Sequence, residues 1–134
     1  MAPARINTRN IGDLGENMAC LYLKKLKYSI LDRNYWKKWG EIDIVARGTD
    51  GIVRFIEVKT VSHGTKADLQ AAVSHGTWRP EEQVHKFKLH QIHKVLETWL
   101  VEHHYTGDWQ IDVLAVRMVP REKYAVVKFI ENIT

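Results

Sequence analysis

Apolar positions along this chain follow two different periods. From Ile11 to about Leu26 they recur at helical spacing, with Leu14, Met18, Leu21, Tyr22 and Leu26 as one stripe, which predicts an amphipathic helix starting near 11–13. Asp13 and Glu16 have the spacing of a capping box, with Asp13 at the N-cap. Residues 1–10 are polar and basic and are expected to be a loose segment. A strand follows at 28–35, with Ile30 and Asp32 on one face and Leu31 and Arg33 on the other. Two further strands at about 40–47 and 52–60 flank the turn signal Gly48-Thr49-Asp50-Gly51 and read as a hairpin. The polar, Gly-containing stretch 62–79 holds one short helical pattern at 67–73. Pro80, Glu81 and Glu82 suit the first turn of a second long helix reaching about His103. Its core face is Leu89, Ile92, Leu96, Trp99 and Leu100, with Val95 alongside. Strands at 109–118 and 124–133, separated by Pro120-Arg121-Glu122-Lys123, complete the order α-β-β-β-α-β-β. A mixed central sheet flanked by helices is the natural packing for that order, an α/β class.

The hairpin carries the chemistry. If Thr49-Asp50-Gly51 forms a three-residue loop with Gly51 left-handed, Gly48 faces Ile52 and Asp43 falls opposite Glu57. Glu41, Asp43, Glu57 and Lys59 then share one face, and Ile42, Ile44, Ile56 and Val58 the other. A two-residue Asp50-Gly51 turn would shift the register and separate the acids. Two ionised carboxylates facing each other across a strand pair repel. A divalent cation removes that penalty, and an all-oxygen set suits Mg²⁺, with Mn²⁺ as the alternative ion. Lys59 would flank the same spot. The plainer reading is a solvated face on which Glu41 pairs with Lys59.

Composition narrows the classes. The 134 residues suffice for one ordinary domain, 1–134. The formal charge of +4 and pI near 9.2 agree with a polyanionic partner. No apolar run approaches a membrane span and no signal-peptide pattern opens the chain, so a cytoplasmic location is expected. One cysteine, Cys20, excludes an internal disulfide and a cysteine zinc cluster and reads as a small buried residue. The seven histidines show no zinc spacing, and His103 and His104 are explained as helix-end residues. Arg33-Asn34-Tyr35-Trp36-Lys37-Lys38-Trp39 is basic and aromatic. It reads equally as a nucleic-acid contact or as a loop whose tryptophans anchor it to the core.

Asp43 followed by Glu57-Val58-Lys59 resembles the core of the PD-(D/E)xK nuclease superfamily. Together with Gly15-Glu16, Ala19, Leu23, Ile30-Leu31-Asp32-Arg33-Asn34, Gly40-Glu41-Ile42-Asp43 and Phe55-Ile56, it is similar to the YraN-like family. The likeness continues through Val84 to Lys88 and Ile111-Asp112-Val113, roughly residues 12 to 118. It implies a restriction-endonuclease-like fold and a metal-dependent endonuclease-like protein that hydrolyses phosphodiester bonds in DNA. Branched or single-stranded DNA in repair or recombination is the implied substrate. It implies Glu16 as a metal ligand beside Asp43 and Glu57, Asp43, Glu57 and Lys59 as catalytic residues, and Lys88 as a phosphate contact. Arg33, Asn34, Lys37 and Lys38 are the other expected DNA contacts. Asp112 reads as a hydrogen-bond acceptor and not as a catalytic group. A homodimer is expected only by analogy with related resolvases. The family pattern carries a basic residue shortly after the lysine, where this chain has Thr60-Val61. That departure motivates a second reading, a nucleic-acid-binding module without turnover, and a third is a protein-interaction domain on the same scaffold.

Overall fold

Among the described residues the periodicities resolve into three α-helices and five strands. The computed structural model describes residues 8–75 and 86–133, with the side chains of 8–10, 75 and 86–88 left undescribed. In chain order these are α1 (Thr8–Lys25), β1 (Ser29–Lys37), β2 (Gly40–Arg47), β3 (Val53–Ser62), α2 (Lys66–His75), α3 (Lys86–Glu102), β4 (Trp109–Val119) and β5 (Tyr124–Ile130). The sheet runs β1-β2-β3-β4-β5. Neighbours are antiparallel except β3 and β4, which are parallel and joined by the crossover through α2 and α3. This is the mixed sheet and element order that the hydrophobic pattern implies, and the short helical pattern at 67–73 is α2. The Pro80, Glu81, Glu82 and Val84 signals lie outside the described residues.

Helices cover both faces. On one, Ile92, Val95, Leu96 and Trp99 of α3 pack on Tyr35, Ile42, Val45 and Phe55. On the other, Ala19, Cys20 and Leu23 of α1 pack on Ile44, Ile56, Leu114 and Val116. β4 is buried along most of its length, as a strand covered on both sides must be. Arg54 and Asp112 are buried with the core and set 3.1 Å apart, Nε to Oδ2, as an ion pair. Asp50 and Glu131 also reach Arg54, and Asp112 Oδ1 accepts from Gln110 and from the Asn132 N–H. This network ties the β2–β3 loop to β4 and to the residues after β5. Asp112 is the structural acceptor expected.

The hairpin loop takes the three-residue form. The Gly48 N–H donates to the Ile52 carbonyl at 3.0 Å and Gly51 is left-handed at φ 82°. The pairs Ile44–Ile56 to Arg47–Val53 carry the register that sets Asp43 opposite Glu57.

Several expectations need correcting. α1 begins at Thr8, so residues 8–10 are helical and Asp13 lies inside the helix and cannot be an N-cap. The buried stripe of α1 is Gly15, Ala19, Cys20 and Leu23, whereas Leu14, Leu21 and Leu26 are exposed. Small residues win because Gly15 lets the helix axis approach Thr60 of β3, and a Cβ there would run into the Thr60 side chain. In β1 a bulge between Ile30 and Asp32 breaks the strict alternation expected. Ile42 packs with α3 and not with Ile44, Ile56 and Val58. The change of face falls between the pairs Arg33–Ile44 and Tyr35–Ile42, at left-handed Asn34 (φ 52°). Trp36 and Trp39 are exposed at 65% and 46%, so they do not anchor a loop to the core.

Candidate metal centre

The site forms where two strands separate. β2 and β3 pair no further than Ile44–Ile56, although β2 continues back to Gly40 against β1. Asp43 stands at the first position beyond the last pair. Its Oδ2 accepts the Val58 N–H at 2.8 Å, so a side chain takes the backbone donor that a carbonyl would otherwise have satisfied. Glu57 is buried beside it, and Lys59 Nζ lies 3.2 Å from Glu57 Oε1. Glu16 approaches from α1 because Gly15 seats the helix on Thr60. An open cleft of about 380 Å³ is lined by Glu16, Asp43 and Glu57 together with Ile11, Asp13 and Thr60.

The electrostatics are those of crowded acids. Burial, and then the charge of Glu57, pushes the Asp43 carboxyl up to about 7, with Glu16 and Glu41 adding to the rise and the Val58 N–H opposing it. Burial also raises Glu16 above the ordinary carboxylate range, against the pull of Arg33 and Asn34. Glu16 Oε1 is buried without a hydrogen bond, with Arg33 3.6 Å away. A buried carboxylate oxygen without a hydrogen-bond donor is costly unless a cation approaches it. The donor set is all oxygen and suits Mg²⁺ or Mn²⁺. Among the described residues no three such donors have drawn close enough to enclose an ion. Each acid here is engaged instead: Asp43 with Val58, Glu57 with Lys59, and Glu16 facing Arg33.

A family scan matches residues 15–116 to the "Uncharacterised protein family UPF0102". The chain belongs to the UPF0102 family. A UPF0102 protein of Campylobacter jejuni is 37% identical over 123 residues, 92% of each chain. One from Campylobacter concisus is 36% identical over 106 residues, covering 79% of this chain and 82% of the relative. A third, from Geobacter metallireducens, is 39% identical over 97 residues, or 72% and 70% of the two chains. The YraN-like resemblance read from the motifs is this family.

In this UPF0102 chain the remaining expected contacts scatter. Arg33 reaches the acid cluster and also donates to Asn17 Oδ1 at 3.0 Å. Asn34 is exposed and lies beside Glu16. Lys37 turns to the far end of α3 and pairs with Glu102 at 2.7 Å. Lys38 is exposed in the turn between β1 and β2. Lys88 lies in the first turn of α3, and its side chain falls outside those described. Sequence reasoning missed Thr60 and Asn17 as parts of the site. In the sequence Thr60 is only the residue after Lys59, and its role depends on an approach by Gly15 that no spacing rule reports. Asn17 carried no signal.

Proposed function

We propose that this protein is a metal-dependent nuclease that hydrolyses phosphodiester bonds in DNA. The observation that supports this best is the convergence of Glu16, Asp43 and Glu57 on one cleft, with Lys59 at Glu57. Glu16, Asp43 and Glu57 would hold the ion. When bound, Mg²⁺ or Mn²⁺ supplies a coordinated water of lowered pKa and neutralises charge on the scissile phosphate. The Val58 N–H fixes the Asp43 carboxyl through Oδ2, so that its other oxygen would be the one offered to a cation. Lys59, placed by strand alternation on the side of Glu57, orients the attacking water and offsets developing negative charge. Arg33, 3.6 Å from Glu16 at the edge of the cleft, would supply a guanidinium for a substrate phosphate. A cytoplasmic location, and pairing of two copies on substrates with two equivalent strands, belong to the same proposal. No described helix is long and apolar enough to cross a membrane.

A panel of labelled duplex, single-stranded, flap and four-way DNA, incubated with Mg²⁺ or Mn²⁺, tests this. The wild-type protein cleaves at least one substrate, and Asp43→Ala and Glu57→Ala abolish cleavage with unchanged circular dichroism. Lys59→Ala lowers the rate by about 10²–10³-fold, the usual cost of losing one charge-stabilising donor. Wild-type cleavage by Asp43→Ala sinks the assignment. Salt-sensitive binding with no cleavage across the panel favours the non-catalytic module, the reading that Val61 in place of a basic residue supports.

A further inference from the structure

The β1–β2 hairpin extends beyond the sheet that carries it. Past Ile44–Ile56, Gly40, Glu41 and Ile42 pair with β1 and not with β3, and the β1–β2 ladder runs on to Lys37–Gly40. One face of this arm is braced. Tyr35 is buried against α3 and its hydroxyl donates to Glu102 at 2.9 Å. Lys37 pairs with the same carboxylate, and Gly40 approaches Val95. The opposite face is open. Trp36 follows Tyr35 and therefore projects the other way, from the face on which Arg33 meets Glu16. Its cross-strand partner is Glu41, so Trp36 stands on the same side as the acid cluster. The indole is exposed at 65%, and the backbone that carries it is held from behind before any ligand binds. Trp39 and Lys38 occupy the two-residue turn beside it, both exposed.

We infer that Trp36 is a stacking platform for an unpaired nucleobase, supported by Trp39 and Lys38 at the hairpin tip, so that single-stranded segments are favoured over continuous duplex. This rests on the nuclease reading for its placement beside a reaction site, and it specifies the substrate. An aromatic face stacks on any base that is free of its helix, and a neighbouring cation binds the adjacent phosphate. A duplex interior offers no such free face. A flat apolar surface of this kind can also join two copies of the chain, and the test separates that outcome.

The test measures anisotropy of labelled single-stranded and blunt duplex DNA with the full chain in Ca²⁺, with cleavage read separately in Mn²⁺. Trp36→Ala weakens single-strand binding about tenfold or more and duplex binding less than about twofold, and Trp36→Phe restores most of the loss. Intrinsic fluorescence is quenched by single strands in wild type and less so in Trp36→Ala. Equal losses on both DNAs, no loss, absence of single-strand binding by wild type, or a changed sedimentation coefficient in Trp36→Ala overturns the platform. If Trp36→Ala cleaves every substrate as wild type does, the platform fails and the nuclease stands. If single-strand binding depends on Trp36 but nothing is cleaved, the platform stands and the nuclease fails.

Discussion

The Asp43 carboxyl is half-buried with Glu57 beside it, and both facts favour its protonated form. In the unfolded chain it releases its proton near 3.8, and in the folded chain near 7. Between those values the folded state binds more protons than the unfolded state, so stability falls as pH rises through the window and levels off above it. The slope is at most about 1.4 kcal/mol per pH unit from this one group. Asp43→Asn removes the titration. With EDTA present, thermal melts of wild type lose stability from about pH 4 to about pH 7 more steeply than those of Asp43→Asn, and the variant is the more stable at pH 8. Parallel profiles for the two proteins contradict the crowding of acids described above. The same residue shows why chemistry was legible early. The loop Thr49-Asp50-Gly51 fixes the register through one left-handed glycine, and the register alone brings Asp43 level with Glu57.

At the level of elements, α1 shows what a hydropathy pattern hides. Leu14, Met18, Leu21, Tyr22 and Leu26 make the obvious stripe, yet the residues the helix buries fully are Gly15, Ala19, Cys20 and Leu23. Of the stripe, Met18 and Tyr22 pack beside them while the leucines are exposed. Apolar periodicity weighs side-chain size, whereas close approach of a helix to a strand rewards its absence. The resemblance named Gly15, Ala19 and Leu23 without giving the reason. For Gly15 the reason is its close approach to Thr60, which also carries Glu16 into the cleft, and for Ala19 and Leu23 it is packing on the sheet. The face change at Asn34 was hidden for a related cause, since a positive φ inside a strand leaves no trace in an alternating pattern. α3 was legible because Ile92, Val95, Leu96 and Trp99 are large and all buried, so size and position agreed. Gly15→Ala places a methyl group against Thr60 and costs about 1–3 kcal/mol in urea unfolding, the usual cost of overpacking. Thr60→Ala in the same chain removes two of the three clashing atoms and recovers part of that loss. If Gly15→Ala unfolds at the wild-type urea midpoint, α1 is not held to β3 in this way.

The whole molecule sets a strained acidic cleft on a scaffold stabilised elsewhere. Two apolar clusters cover the two faces of the sheet, and the Arg54–Asp112 network ties its far end. Their stability offsets the repulsion among Glu16, Asp43 and Glu57, which a cation would relieve. A ligand that binds only the folded state raises its stability with the logarithm of ligand concentration, by about 2.7 kcal/mol at a hundredfold excess over Kd. Millimolar Mn²⁺ at pH 8 therefore raises the melting temperature of wild type by several degrees. At pH 5.5 the rise shrinks, because Asp43 is held protonated up to about 7 and proton and cation compete for the same oxygens. Glu57→Gln and Asp43→Asn both lose the pH 8 response, while an equal ionic strength of NaCl does not reproduce it. A shift of the same size in Glu57→Gln places the ion elsewhere on the surface and removes the physical basis for metal-assisted hydrolysis at this cleft.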